Sequence, residues 1–298
     1  MKKMLFVVNP NAGLKKAGKY LMEIVDIFNR ADYEVSVYIT QKQGDARNMV
    51  AQRAAGMDAV VCCGGDGTFN ETVTGMLSAG LDVPLGYIPA GSTNDFANSL
   101  KLPLDPLEAA QNIVQGQPVA YDVGRFEDRY FSYVASFGAF TRTSYTTPQS
   151  IKNALGHTAY VLNGISEISQ IRQIQVKMEL DGQELEDKFL FGAICNSTSV
   201  AGVLTLDSSK VDLSDGQFEI LLVRSPKDLI EVAECIQAFQ NKTYDCKMVS
   251  FRSASTVKIT MDSPVDWTLD GEWQEGKEQV LITNCHRAIR LLTKEKTL

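Results

Sequence analysis

A glycine-rich turn, Gly64-Gly65-Asp66-Gly67-Thr68, has the composition of a phosphate-binding loop. Glycine has no Cβ, so backbone N–H groups at such a turn can approach an anion closely. The unbroken apolar run 59–63 before the turn predicts a strand buried on both faces, and helical apolar spacing follows the turn. A helix N-terminus adds further N–H groups and the positive end of the helix dipole. The sequence therefore predicts a phosphate cradle between a strand and a helix.

The same residues also fit an ordinary tight turn, since glycine-rich turns are common. Thr68 and Glu71 have the spacing of a capping box, which predicts that the helix begins at this point. The motif differs from a Walker A loop and from a GxGxxG loop, and no lysine follows it. A metal ion or residues elsewhere in the chain would have to neutralise a bound phosphate.

An acidic turn in the C-terminal half of the chain has the donor chemistry of a cation site. Asp212 and Asp215 flank a turn that ends at Gly216, and backbone carbonyls lie next to them. Carboxylate and carbonyl oxygens suit a hard cation such as Mg²⁺ or Ca²⁺. An Asx turn leading into the next strand explains the same residues without a metal. The residues alone leave both interpretations open.

A second acidic motif, Asp270-Gly271-Glu272, lies between two strand-like runs. Asp-Gly in this context is a common signal for a β-hairpin. A carboxylate held at such a turn could also remove a proton from a substrate hydroxyl that attacks phosphorus. Phosphoryl transfer needs little more than a phosphate cradle, a metal ion and an oriented nucleophile.

Strand-like and helical patterns alternate through the first part of the chain. Runs at 4–8, 33–39, 59–63 and 85–89 predict strands, and helical apolar faces separate them. This alternation predicts a parallel sheet covered by helices, whose ligands bind beyond the carboxyl ends of the strands. We expect the polar segments that follow these strands to meet at one edge: 9–13, Thr40, 64–70 and 91–95. Each segment alone also fits a structural turn.

Strand-like runs dominate from about residue 121 and predict a second, mainly antiparallel β domain. The runs are 119–126, 130–137, 174–180, 189–195, 218–223, 256–260 and 279–282. Helical patterns interrupt them at 151–168 and after Ser225-Pro226. We predict an α/β nucleotide-binding domain over 1–125 and a β domain over 126–298. The segment from about 286 to 298 is a candidate to return to the first domain.

Composition and charge exclude several classes of function. The 298 residues suffice for two domains, and no apolar run is long enough to span a bilayer. A net charge of −7 gives no support to nucleic-acid binding through a basic face. The six cysteines lack CxxC spacing, so we expect buried thiols in a reducing compartment. Two histidines far apart in sequence argue against a histidine-based metal site.

Together these motifs resemble the bacterial diacylglycerol kinase-like lipid kinase family, which is related to the catalytic domains of sphingosine and ceramide kinases. The matching motifs are 9–13 (NPNAG), 64–68 (GGDGT), 89–95 (PAGSTND), Asp212-x-x-Asp215-Gly216 and Leu269-Asp270-Gly271-Glu272. Their order and spacing match over nearly the whole chain. Ser92 stands where the family often has Thr, and Tyr133 stands near a position where many relatives carry Asn.

The resemblance implies an α/β domain with a parallel sheet, a β-sandwich second domain and ATP in the cleft between them. It implies nucleotide-contacting residues at Asn9, Pro10, Asn11, Ala12, Gly13, Thr40, Gly64, Gly65, Asp66, Gly67, Thr68, Phe69, Asn70, Glu71, Thr93, Asn94 and Asp95. Asp212, Asp215 and the carbonyl of Gln217 would hold a structural Mg²⁺. Asp270 or Glu272 would be the catalytic acid–base group, and Asp66 would help to position catalytic Mg²⁺.

The activity implied is Mg²⁺-dependent transfer of the ATP γ-phosphoryl group to a lipid hydroxyl, most simply that of diacylglycerol. An NAD kinase or another small-molecule kinase is the alternative enzyme, because the glycine motif also occurs in NAD kinases. A non-catalytic nucleotide- or lipid-binding regulator is the alternative outside enzymes. We expect a cytoplasmic protein that contacts the membrane surface transiently to reach its lipid substrate. The sequence leaves the acceptor lipid and a homodimer open.

Overall fold

The computed structural model describes residues 1–13, 16–138, 173–200, 204–205, 211–241, 243–244 and 246–294. The first elements are β1 (Lys2–Val8), α1 (Lys16–Lys19), α2 (Leu21–Arg30), β2 (Tyr33–Ile39), α3 (Asp45–Arg53), β3 (Ala59–Gly64), α4 (Asp66–Ser78), β4 (Leu85–Pro89), α5 (Asp95–Ser99) and α6 (Pro106–Gln115). Next come β5 (Gln117–Phe126), β6 (Arg129–Phe131), β7 (Val134–Gly138), β8 (Ile174–Leu180), β9 (Gln183–Cys195), β10 (Ser199–Val200), β11 (Leu204–Thr205) and β12 (Phe218–Arg224). The last are α7 (Leu229–Gln240), β13 (Val249–Ala254), β14 (Thr256–Met261), β15 (Trp267–Leu269), β16 (Glu272–Gln274) and β17 (Gln279–Thr293). The helix predicted over 151–168 lies outside the described residues.

The chain divides into two compact units. The first consists of Met1–Val123 and Cys285–Leu298, and the second of Gly124–Asn284. The chain leaves the first unit within β5 and returns to it within β17. Both ends of the chain therefore belong to the same unit.

The sheet of the first unit is parallel, in the order β2-β1-β3-β4, and Leu291 of β17 continues it beside Leu85 of β4. β3 is buried at every residue, as its unbroken apolar run predicted. Helices bury apolar side chains against this sheet, and Phe28 of α2 packs edge-to-face on Phe6 of β1. The predicted α/β region with a parallel sheet is confirmed.

The strands of the second unit pair antiparallel, as predicted. β9 is central, since it pairs with β7, β8 and β12, and β8 continues through β14 to β17. The alternating burial of β8 explains its alternating sequence, because one face of the strand packs on the core. Trp267 is fully buried in this core, between the rings of Phe126 and Phe137.

Three predicted element boundaries were wrong. The capping box is absent, because α4 begins at Asp66, its N-cap is Gly65, and Thr68 and Glu71 make other hydrogen bonds. α7 begins after Asp228, whose carboxylate accepts two backbone N–H groups, and not at Ser225-Pro226. The predicted strand 130–137 is two strands, β6 and β7. No helix in the described ranges has the length and apolar character needed to cross a bilayer.

All six cysteines are free thiols. Cys62, Cys63 and Cys195 are buried, as predicted, whereas Cys235, Cys246 and Cys285 are only partly buried. Cys62 and Cys63 are fully buried in β3, and burial raises the pKa of Cys63 to about 12. Burial also raises the pKa of Cys235 to about 12. These thiols stay protonated at neutral pH and are therefore poor nucleophiles, and Cys62 and Cys63 act as apolar core groups.

Candidate active site

Three loops of the first unit meet at the carboxyl edge of its parallel sheet, as predicted. They follow β1, β3 and β4, and backbone hydrogen bonds join the strand ends. The N–H of Asn9 donates to the carbonyl of Cys63 at 2.9 Å, and the N–H of Ala90 donates to that of Gly64 at 2.8 Å. The side chain of Asn9 also donates to Oγ1 of Thr68 at 3.0 Å. These hydrogen bonds hold the ends of β1, β3 and β4 together at one edge.

Glycines at this edge allow the loops to approach each other. A Cβ on Gly13 would overlap the carbonyl oxygen of Ala90, and Gly13 has a positive φ of 43°. A Cβ on Gly91 would lie 2.6 Å from the Cα of Gly65. The glycines of the turn 64–68 were predicted to make room for an anion, whereas Gly13 and Gly91 make room for the backbone of a neighbouring loop.

The start of α4 has the properties of a phosphate cradle. The first four N–H groups of a helix have no acceptor within it, and here they belong to Gly65, Asp66, Gly67 and Thr68. The N–H of Phe69 is the first with an intrahelical partner, the carbonyl of Gly65 at 3.1 Å. This end of α4 lies at the carboxyl end of β3, so N–H groups and the helix dipole point where ligands of parallel sheets bind.

The carboxylate of Asp66 connects the glycine turn to the loop after β4. It accepts the N–H groups of Asp95 and Phe96, at 3.1 and 3.2 Å, and the hydroxyl of Thr93 at 3.2 Å. Asp66 thereby gives an acceptor to two of the N–H groups at the start of α5, which have none within the helix. These hydrogen bonds also fix the orientation of a carboxylate that the resemblance assigns to the positioning of Mg²⁺.

Asp66 and Asp95 form a pair of neighbouring carboxylates. Partial burial, together with the charge of Asp66, raises the pKa of Asp95. Bringing two carboxylates together is unfavourable without a cation, so this pair has the donor chemistry of a hard cation site. Within the described part of the chain, no group of three His, Cys, Asp or Glu side chains could hold a metal ion. Water or phosphate oxygens would therefore have to complete the coordination.

The raised pKa of Asp95 predicts that Asp95→Asn stabilises the protein in the absence of Mg²⁺ and ATP. A carboxyl whose pKa is raised by folding binds its proton more tightly in the folded state, so ionisation at higher pH lowers the free energy of unfolding. We expect a higher Tm for Asp95→Asn at pH 7, and a gain that shrinks as the pH falls toward 3.8, the pKa of the unfolded group.

Thermal unfolding of the nucleotide-free and metal-free protein across this pH range measures the effect. Glu23→Gln removes the same charge from an exposed position of α2 and controls for net charge. A Tm for Asp95→Asn below that of the wild type at pH 7 would show that the ionised carboxylate stabilises the fold.

Several residues predicted to contact nucleotide have partners inside the protein. Both oxygens of Glu71 accept N–H groups at the start of α3, from Gly44 at 2.7 Å and Ala46 at 3.2 Å. Phe69 is fully buried, and its ring stacks on that of Phe96 at 4.2 Å. The structure therefore gives Glu71 a helix-capping role and places the Phe69 side chain in the core.

Other predicted nucleotide contacts shape the loops. Asn94 has a left-handed backbone with a φ of 52°, and its side chain exchanges two hydrogen bonds with the backbone of Gly91. Thr40 is buried, and its hydroxyl donates to the carbonyl of Val8 at 3.4 Å. Of the remaining predicted residues, Asn11 donates its N–H to the side chain of Asn9, and Ala12 is buried. Direct ligand contacts by these residues stay predictions.

The turn at 212–217 consists of two successive Asx turns. Oδ1 of Asp212 accepts the N–H of Ser214 at 2.9 Å, and Oδ1 of Asp215 accepts the N–H of Gln217 at 2.9 Å. The carbonyl of Gln217 accepts a hydrogen bond from Asn284 at 3.1 Å. Two carboxylates and a carbonyl on one turn fit Mg²⁺, which commonly binds one or two carboxylates and keeps several waters. The donor set fits the predicted ion, and the binding itself stays a prediction.

Asp270 lies in the second unit at the hairpin turn between β15 and β16, so the predicted Asp-Gly hairpin is confirmed. Its side chain is only 8% exposed. Oδ2 accepts the N–H of Ser132, and Oδ1 accepts those of Tyr133 and Val134, at 2.9 and 3.0 Å. Three backbone N–H groups therefore fix the orientation of the Asp270 carboxylate.

Glu272 differs from Asp270 in exposure and in its partners. Its side chain is 47% exposed, and it forms an ion pair with Arg129 at 3.5 Å. Arg129 also donates to Gln274 at 2.7 Å. A half-exposed pair of this kind leaves the carboxylate less fixed than that of Asp270. The sequence marked Tyr133 only as a departure from the family pattern and did not point to Ser132, Val134 or Asn196. The hydrogen bonds from 132–134 to Asp270, and those from Asn196 to Ser132 and Tyr133, join residues far apart in the chain.

The fold of this chain matches that of a solved structure, and its sequence matches a protein family. The chain resembles the crystal structure of a diacylglycerol kinase from Bacillus anthracis strain Sterne, with a TM-score of 0.77, 22% identity and coverage of 100% of this chain and 98% of that one. Residues 3–126 match the diacylglycerol kinase catalytic domain.

Two curated relatives match nearly the full chain. A diacylglycerol kinase of Bacillus subtilis strain 168 is 30% identical over 277 residues, which cover 92% of this chain and 90% of that protein. A diacylglycerol kinase of Staphylococcus carnosus strain TM300 is 31% identical over 275 residues, with coverage of 91% and 89%. The chain therefore belongs to the diacylglycerol kinase family. Membership in a kinase family implies that ATP is used.

Proposed function

We propose that this protein is an ATP- and Mg²⁺-dependent lipid kinase that converts diacylglycerol to phosphatidic acid. The proposal is based on the carboxyl edge of the first unit, where the N–H groups at the start of α4 have no acceptor within the helix and lie beside the Asp66–Asp95 carboxylate pair. Such an edge suits a nucleotide phosphate with its metal ion. The relatives named diacylglycerol kinase support the choice of acceptor.

In the proposed reaction, the N–H groups at the start of α4 bind the phosphates of ATP. Mg²⁺ at Asp66 and Asp95 would offset negative charge on the transferred group. The lipid hydroxyl oxygen forms a bond to the γ-phosphorus while the bond from that phosphorus to the bridging oxygen breaks, and ADP leaves. The hydroxyl proton passes to a carboxylate, and the fixed geometry of Asp270 favours it over Glu272 for this role.

The protein would meet its lipid at the membrane surface by peripheral contact. A substrate with two acyl chains stays in the bilayer, so the enzyme has to reach the hydroxyl at the interface. The turn at 212–217 would hold a second, structural Mg²⁺ through Asp212, Asp215 and the carbonyl of Gln217.

A labelled-ATP assay over a panel of acceptors tests the proposal. The panel contains diacylglycerol, sphingosine and ceramide in mixed vesicles, and NAD in solution, each with and without Mg²⁺. We expect label in phosphatidic acid that depends on Mg²⁺, identified by chromatography. Label in NADP would show an NAD kinase, and label in no product would favour a non-catalytic regulator.

A further inference from the structure

The segment Ser132, Tyr133 and Val134, here called the anchor segment, supplies all three backbone N–H groups that bind the Asp270 carboxylate. Ser132 and Tyr133 join β6 to β7, and Val134 is the first residue of β7. The direction of the Asp270 carboxylate therefore depends on how these peptide groups are held.

Asn196, which follows β9, holds the other side of the same peptide groups. Its side-chain Nδ2 donates to the carbonyl of Ser132 at 3.2 Å, and its backbone N–H donates to the carbonyl of Tyr133 at 2.8 Å. Asn196 is only 2% exposed. Water therefore cannot easily replace its amide as the donor to Ser132.

Two peptide groups connect Asn196 to a single oxygen of Asp270. The peptide between Ser132 and Tyr133 accepts from Nδ2 of Asn196 and donates to Oδ1 of Asp270. The next peptide accepts from the backbone N–H of Asn196 and donates to the same Oδ1. A hydrogen bond to a peptide carbonyl polarises that peptide and strengthens its N–H as a donor. The two chains of hydrogen bonds thus run in parallel from Asn196 to Asp270.

We propose that Asn196 is a positioning residue for Asp270, acting through the two peptide groups of the anchor segment. The catalytic part of this proposal rests on the proposed function, in which Asp270 accepts the proton of the lipid hydroxyl. Asn196 fixes where Oδ1 lies and keeps the carboxylate from rotating. It needs no contact with ATP or lipid to do this.

The test combines Asn196→Ala with Asp270→Asn in a double-mutant cycle. In the wild-type background we expect Asn196→Ala to lower kcat by about 5- to 10-fold, the effect of one buried hydrogen bond, with the KM for ATP unchanged. In the Asp270→Asn background we expect no further loss, because the residue acts only through that carboxylate. Equal losses in both backgrounds, or no loss in the wild type, would overturn the proposal.

Amide hydrogen exchange gives a readout that does not depend on activity. We expect Asn196→Ala to accelerate exchange at the N–H groups of Tyr133 and Val134, with little change in the first unit. Asn112→Ala is the matched control, because Asn112 is also buried and makes two tertiary hydrogen bonds, with Thr293 and Lys294. Unchanged exchange in the anchor segment would overturn the proposal.

Asn196→Val is uncharged, fills more of the side-chain volume than alanine and keeps the backbone N–H, and it replaces Asn196→Ala if the alanine variant does not fold. The same losses are expected from it, since its side chain offers no amide donor. If the wild type phosphorylates no acceptor while exchange at Tyr133 and Val134 still responds, the positioning role stands and the proposed function fails.

Discussion

Asp270→Asn should lower turnover by at least about 100-fold while ATP binding stays nearly unchanged, because general-base removal typically costs 10²–10⁴ in rate. Asparagine has nearly the same shape as aspartate but cannot accept the hydroxyl proton. Its amide group would also face an N–H of the anchor segment, so some loss of stability is expected. Steady-state kinetics, nucleotide titration and thermal unfolding measure the three quantities separately.

Asp181→Asn is a matched control for the stability effect. Asp181 occupies another Asp-Gly turn, has a positive φ of 47°, and accepts the N–H groups of Ser255 and Thr256. Desolvation raises the pKa of Asp181, but the hydrogen bonds from Ser255 and Thr256 outweigh it and lower the pKa overall. We expect Asp181→Asn to lower Tm but to keep kcat. Wild-type turnover in Asp270→Asn would exclude Asp270 as the proton acceptor.

Gly13→Ala should have the second large effect, on both stability and ATP affinity. The added Cβ would overlap the carbonyl oxygen of Ala90. Neither the backbone of Gly13 nor that of Ala90 can move away without separating the loop after β1 from the loop after β4. Overpacking lowers the free energy of unfolding by about 1–3 kcal/mol, and an alanine in a left-handed backbone conformation lowers it by about 1–2 kcal/mol more. We expect a clear fall in Tm and ATP binding weakened about 10-fold or more, measured by thermal unfolding and calorimetric titration.

Gly80→Ala separates the steric effect from the backbone strain. Gly80 also has a positive φ, 63°, but nothing lies within 4 Å of a Cβ built there. Gly80→Ala should therefore show the smaller loss of stability and leave ATP binding intact. Equal falls in Tm for the two variants, with ATP affinity unchanged in Gly13→Ala, would show that contact between the loops does not shape the nucleotide site.

The sequence alone indicated the carboxyl edge of the first unit because its signals are local. The apolar run 59–63 predicts a strand buried on both faces, and β3 is that strand. Parallel strands bring their carboxyl ends to one edge, so the order of strands and polar segments was enough to place 9–13, 64–70 and 91–95 together. The hairpin at Asp270-Gly271 is equally local, since the turn depends on two adjacent residues with positive φ.

Only the tertiary structure decided which partner each polar side chain has. Thr68 and Glu71 have the spacing of a capping box, yet Glu71 binds the start of α3 and Thr68 binds Asn9. Asp66 caps a helix about thirty residues further along the chain, and Asp270 binds backbone more than 130 residues before it. The physical reason is that spacing along the chain determines strands, helices and turns, whereas these hydrogen bonds form between groups that become neighbours only when the core packs.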